Sequence, residues 1–376
     1  MKKELSSFTN LSRLAPLNYL RSAAECQKAT PTMKAIAPGV VVPTVHSPIG
    51  AYSPSNLWAW ITKVGKYWFS KKHPFKTYAT DSDGVHVIGN QIKISVAGDW
   101  GTGTDEAAAV AAQIKTFVPD FTIHLGDVYY VGSQSEVNEN FLGIKSSSFD
   151  PVAWPLGKLG TFALAGNHDM YSNGGAYFDT LLPKIGQGAS FFCLQNDYWR
   201  IIGLDTGYNS TGTEIWPFKP NCKLPNGLIK WLTSLNLKDK RDSRGIILLS
   251  HHQPFSSFER EYPTPAKQLA ALIDRPVLWF WGHEHRLTIY ANQENVKGLT
   301  ILGRCIGHGG MPIEFKTSKD KRAFVTDDRL YSNGEGLKIG YNGFANFSFD
   351  GAHLSVEYRD LNGGIVASES RNAYAI

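Results

Sequence analysis

The chain has 376 residues, 42% of them hydrophobic and 12% aromatic, enough apolar material for one sizeable core. Its 38 basic and 33 acidic residues leave a charge of +5 with no dense basic cluster, which excludes a nucleic-acid surface but suits an anionic substrate. Cys26, Cys193, Cys222 and Cys305 lie far apart with no C-x-x-C pair, which excludes a zinc knuckle or a disulfide framework; they read as buried thiols.

The start, MKKELSSF, is followed by Asn10, Ser12, Arg13 and Pro16 instead of an apolar segment, and no run of about eighteen apolar residues occurs later. The expectation is a cytoplasmic protein with no membrane partner. Residues 1–75, punctuated by Pro16, Pro31, Pro38, Pro43, Pro48 and Pro54, read as an extension of unassigned role, and 76–376 as the main domain. Inside the extension, LWAWITKVGKYWFSKK (57–72) reads as an aromatic helix packed on the core with its lysines in solvent, in preference to a membrane-surface helix.

From residue 90 the pattern becomes regular. IKISVAGDWG predicts a strand meeting a glycine turn, and TDEAAAVAAQIKTF a helix opened by Thr104 and acidic residues. FTIHLGD, TFALAGNHD, GIILLSHH and VLWFWGHEH predict further strands with polar residues at their carboxyl ends, separated by helices at NGLIKWLTSL and PAKQLAALI. FANFSFDGAHLSVEY alternates on either side of Asp350-Gly351, a hairpin pattern. Parallel strands delivering polar residues from their carboxyl ends, together with an antiparallel hairpin, predict an α/β protein with mixed sheets.

Five of those strand ends carry chemistry: Asp99-Trp100-Gly101, Gly126-Asp127-Val128-Tyr129-Tyr130, Gly166-Asn167-His168-Asp169, His251-His252-Gln253-Pro254 and Gly282-His283-Glu284-His285. One Gly-Asp after a strand is an ordinary turn. Five such ends supplying carboxylate, phenol, amide and imidazole, with no thiolate, make the donor mix of hard or borderline cations. On an extended strand His283 and His285 would share a face and aim at one cluster.

These segments, spanning roughly residues 92–292, resemble the blocks of the calcineurin-like metallophosphoesterases, DxG, GDxxY, GNH(D/E), a His after an apolar run, and GHxH. The resemblance is to the purple acid phosphatase branch in particular, because Gly101 stands where most of the superfamily has a histidine and Tyr130 follows Asp127 by three residues. It implies a metallophosphoesterase-type β-sandwich flanked by helices and two metal ions bridged by Asp127. Asp99, Asp127, Tyr130 and His285 would hold the first metal, expected to be Fe(III) because phenolate is a strong anionic donor. Asp127, Asn167, His252 and His283 would hold the second, a divalent iron, zinc or manganese ion. His252 is preferred to His251 on the His-x-Pro spacing. His168 is implied to face substrate, with Asp169 as its orienting partner. A further substrate histidine of some purple phosphatases is missing from SSFEREY, leaving Arg260, Arg304 and His308 as candidate substrate contacts.

The implied function is a dinuclear-metal hydrolase that cleaves phosphate esters by attack of metal-bound hydroxide, with phosphomonoesters as expected substrates. A phosphodiesterase for cyclic nucleotides or other diesters is the alternative enzyme, and a catalytically inactive metal-binding interaction protein the alternative of another class. No nucleic-acid partner is expected.

Overall fold

The computed structural model describes residues 46–47, 49–52, 65, 67, 70–211, 220–333 and 336–376. Cys26 and most of the predicted helix at 57–72 lie outside the described residues. The apolar runs become strands buried on both faces. In Gly245–Ser250, Ile247 and Leu249 point to one core while Ile246 and Leu248 point to another, and in Val277–Trp281 Leu278 and Phe280 alternate in the same way with Val277, Trp279 and Trp281. Such strands need cover on both sides, which dictates the layering.

Two large mixed sheets provide it. The eight-stranded sheet runs Val85–Val87, Phe192–Gln195, Trp199–Leu204, Gly245–Ser250, Val277–Trp281, Leu299–Ile306, Leu287–Val296, Ala323–Thr326. The six-stranded sheet runs Ile365–Asn372, His353–Asp360, Gly343–Asp350, Gln91–Ala97, Phe121–His124, Gly160–Ala163. The predicted hairpin is its antiparallel half, with Asp350 opposite His353 and Gly351 at φ 58° in the turn. Between the sheets lies a shared core: Ile94, Val96, Ile123, Phe347 and Val356 from one, Ile201, Ile247, Leu249, Leu278 and Phe280 from the other. Each such side chain contributes about 1.5–3 kcal/mol by leaving water.

Helices cover the outer faces. In Asp105–Phe117 the Thr104 side chain accepts the Ala107 N–H, acidic residues occupy the first turn, and Ala107, Val110, Ala111 and Ile114 form the buried stripe against Trp100 and Phe344. Asn226–Ser234 and Thr264–Ala270 cover the eight-stranded sheet through Leu228, Trp231, Leu232, Ala266 and Leu269. This is the expected β-sandwich flanked by helices. Cys193, Cys222 and Cys305 are buried free thiols.

Ser47 and Tyr52, within the stretch predicted as an extension, bond to this frame. The Ser47 N–H donates to the Gly103 carbonyl at 3.1 Å, and the buried Tyr52 donates its hydroxyl to the Thr102 carbonyl at 2.6 Å. No helix among the described residues is long and apolar enough to cross a membrane.

Candidate metal centre

The parallel strands of both sheets end on one side of the sandwich, where their loops are stitched together. The Asp99 N–H donates to the Gly126 carbonyl, Gly98 N–H to the Ile306 carbonyl and Gly282 N–H to the His251 carbonyl, at 3.1, 3.2 and 3.0 Å. Asp99, Asp127 and His283 stand there with φ of 59°, 73° and 64°. Left-handed backbone at a residue other than glycine costs on the order of 1–3 kcal/mol and gathers at functional sites. Side-chain bonds to backbone hold these turns, since Asp99 Oδ2 accepts the His283 N–H at 2.7 Å and Asp127 Oδ1 accepts the His168 N–H at 2.8 Å. Neighbouring glycines permit the approach: a Cβ on Gly166 would lie 2.0 Å from Asp127 Oδ1, and one on Gly282 2.6 Å from Asp99 Oδ2.

Asp127 sits between two groups of donors. On one side the Tyr129 hydroxyl lies 2.8 Å from Asp99 Oδ1, 3.0 Å from Asp127 Oδ2 and 3.1 Å from His285 Nε2, with His285 Nε2 3.5 Å from Asp99 Oδ1. One phenol hydrogen cannot serve those acceptors together. On the other side His251 Nε2 lies 3.3 Å from Asp127 Oδ2, 3.1 Å from Asn167 Oδ1 and 3.3 Å from His283 Nδ1. Outer bonds fix what these groups present inward. His251 Nδ1–H donates to the Leu125 carbonyl at 3.1 Å, leaving Nε2 for the cluster, and Asn167 Nδ2 donates to the Tyr171 hydroxyl at 3.1 Å, leaving Oδ1.

Acceptor thus faces acceptor on both sides of one carboxylate, and only protons or cations relieve that. Burial would raise the Asp127 carboxyl, but the His251 and His168 imidazoles together hold it well below the usual carboxylate range. Burial opposes charge on His251, yet Asp127 and Asp99 bring it up to about 9. Burial and neighbouring imidazoles push His252 and His283 well below the ordinary histidine value, so they offer lone pairs. Burial, then the Asp127 and Asp99 charges, pushes the Tyr129 phenol well up, so that it ionises only beside a strong positive charge. The oxygen and nitrogen atoms therefore fit two cations that share Asp127. Ligand atoms of Asp99, Asp127 and His251 lie within 4.8 Å of one another, as do those of His251, His252 and His283.

The geometry departs from several sequence assignments. The phenol beside the carboxylates is Tyr129, not Tyr130, whose ring packs on Tyr52 with centroids 4.7 Å apart and whose carbonyl accepts from His168 Nδ1 at 2.5 Å. The left-handed turn at Asp127 sends the second following side chain, not the third, into the cluster. The strand ends at Ser250, and His251 stands between Asp127 and Asn167; His252, whose Nδ1 is 3.1 Å from Thr206 Oγ1, also has its ligand atom within 4.8 Å of those of His251 and His283. Past Trp281 the chain is no longer a strand, and His283 and His285 reach opposite sides of Asp127 instead of sharing a face.

The remaining candidates divide. His168 is at the cluster, its Nε2 3.9 Å from Asp127 Oδ2. Among the described residues the Asp169 carboxylate makes no hydrogen bond to the His168 ring; it accepts the N–H groups of Gly166, Asp127 and Val128 at 2.8, 2.8 and 3.2 Å, bracing the loop that carries Asp127. Arg304 is not a pocket residue. It is buried, bonded to both Glu369 oxygens at 2.6 Å and to the Tyr290 and Gly303 carbonyls. His308 is buried beside Gly343, its carbonyl accepting the Gly343 N–H at 2.7 Å, and it joins no donor of the cluster among the described residues. Arg260 reaches the rim, donating to the Pro220 carbonyl at 2.7 Å and lying 5.0 Å over the Tyr262 ring, which packs on His252 and His283.

A β-sandwich with these donors at its strand ends defines a two-metal phosphoesterase domain. Residues 92–287 match the calcineurin-like phosphoesterase family, and the chain belongs to that family. It is similar to tartrate-resistant acid phosphatase type 5 of Sus scrofa, 27% identical over 245 residues covering 56% of this chain and 69% of that protein. The Homo sapiens protein of the same name is 25% identical over 241 residues, covering 56% of this chain and 72% of its own. Among solved structures, purple acid phosphatase PPD1 from yellow lupin (Lupinus luteus) seeds aligns at 17% identity with a TM-score of 0.49, over 75% of this chain and 54% of that one, so this chain spans about half of the lupin protein's length. The family match makes the chain a calcineurin-like phosphoesterase, and the curated proteins it resembles are acid phosphatases.

Proposed function

We propose that the protein hydrolyses phosphate monoesters at a two-metal centre. Asp99, Tyr129 and His285 would hold the first ion, Asn167, His251 and His283 the second, and Asp127 both. The observation that carries this reading is the shared Asp127 Oδ2, with the Tyr129 hydroxyl 3.0 Å away on one side and His251 Nε2 3.3 Å away on the other. Phenolate in the first set favours Fe(III) there, with a divalent iron, zinc or manganese ion in the amide and imidazole set. Cations so held supply Lewis acidity that draws charge from phosphoryl oxygens and acidifies water.

The chain's own groups do the rest. His168 donates Nδ1–H to the Tyr130 carbonyl, which fixes its ring and turns Nε2 toward the cluster, where it can hold a proton against a departing ester oxygen. Burial keeps His168 below its ordinary pKa, and Asp127 opposes that only in part. Asp169 braces the Asp127 turn. Arg260, over Tyr262 at the rim, is the remaining candidate contact for a phosphate oxygen. The acid phosphatase names of the relatives support monoesters.

Metal analysis and a visible spectrum of native protein, followed by turnover of a chromogenic monoester and diester on the same sample, test the reading. Two metals, a phenolate-to-iron band and faster monoester cleavage are expected. Faster diester cleavage would make it a phosphodiesterase, and full metal loading without turnover of either ester would make it a binding protein.

A further inference from the structure

His285 presents Nε2 to Tyr129 and Asp99. Its other ring nitrogen, Nδ1, is buried and has no hydrogen-bond partner among the described residues. The group facing it is a carboxylate that the sequence motifs do not include, Glu314, whose Oε1 lies 3.7 Å away. That is ion-pair range, longer than a hydrogen bond. Glu314 is 5% exposed and tied down throughout: its N–H donates to the His285 carbonyl at 2.9 Å, its carbonyl accepts from Arg286 Nη2 at 2.5 Å, and its Oε2 lies 2.6 Å from Lys316 Nζ. Lys316 also pairs with Glu259. Backbone and side chain of one residue therefore address His285 at both ends.

A carboxylate opposite one imidazole nitrogen keeps the hydrogen on that nitrogen and leaves the other lone pair outward. His251 has its equivalent restraint in the Leu125 carbonyl, at 3.1 Å. We infer that Glu314 is a positioning residue for the first metal: it holds His285 in the Nδ1–H form, with Nε2 directed at the Asp99 side of the centre, and strengthens it as a donor. This rests on the two-metal reading.

The test is metal retention by the full-length, metal-loaded protein during EDTA titration, read by metal analysis and by the visible band. Glu314→Ala is expected to release the first metal at about 10–100-fold lower chelator, with the second retained more firmly, and Glu314→Gln, which keeps shape and a carbonyl acceptor, to fall between it and the parent. Where the alanine variant fails to fold, the near-isosteric glutamine variant decides. Parental retention in the folded variants overturns the inference, as does equal loss of both metals with a matching fall in thermal stability. A parent protein that binds no metal overturns the two-metal reading as well, so the two failures are distinguishable.

Discussion

Two buried polar clusters in this molecule look alike in composition and differ in balance. Around Arg304, a fully formed guanidinium fork meets both oxygens of Glu369, the remaining N–H groups reach carbonyls, and the Tyr358 hydroxyl donates to Glu369 at 2.5 Å. Every strong donor there has its acceptor, so the cluster closes on itself and is structural. Around Asp127 the inward atoms are acceptors crowding acceptors, on a backbone held in left-handed turns at Asp99, Asp127 and His283. A buried polar residue is thus diagnosed by whether its neighbours complete it, not by its burial.

The comparison breaks first at Asp127. Asp127→Ala is expected to lose both metals and to bring monoester turnover below detection, while the sandwich core still folds. Metal analysis, turnover and circular dichroism of one preparation check this, and retention of two ions by the variant would contradict the shared-carboxylate reading.

Arg304→Met should do the opposite. It removes the partner of both Glu369 oxygens and leaves Arg371 and Tyr358, so it should cost about 1.5–3 kcal/mol in denaturant unfolding, with metal content and turnover per folded molecule unchanged. The same cluster predicts an acid response. Burial would raise the Glu369 carboxyl, but the Arg304 guanidinium brings it down to about 2 in the folded chain. A depressed folded value contributes stability above the unfolded value of about 4.3, lost as pH falls toward 2, up to about 3 kcal/mol. Unfolding curves between pH 6 and pH 2.5 should show that loss in the parent and a smaller one in Arg304→Met.

The neighbouring residues sharpen the comparison. Tyr129→Phe should abolish a phenolate-to-iron band that Tyr130→Phe leaves in place. His251→Ala should release the second metal at far lower chelator than His252→Ala, because His251 Nε2 also reaches Asp127 Oδ2 and Asn167 Oδ1. The opposite pattern in either pair would restore the assignment made from motif spacing.

Much of this was readable in the chain. Alternation within GIILLS and VLWFW is set by the two-residue period of a strand, so both-face burial and cover on each side follow without tertiary information. The Thr104 cap and the Asp350-Gly351 hairpin are local and form where the residues predict them. Asp99, Asp127, Asn167, His283 and His285 were readable as a cluster because five strand ends carried compatible donors. Glu314 was not, since nothing nearby in sequence marks it; only the bond between its N–H and the His285 carbonyl brings it opposite Nδ1.

The sequence by itself determined the layers, the ends at which polar residues emerge and the kind of donor they offer, because propensity, periodicity and turn chemistry act over a few residues. The tertiary structure decided that Tyr129, not Tyr130, turns to the carboxylates, and it set His251 beside His252 at the cluster. It also assigned Arg304 to the core. A shift of one residue at a strand end reverses a side chain's direction, and that direction is fixed by the opposing loops packed against it.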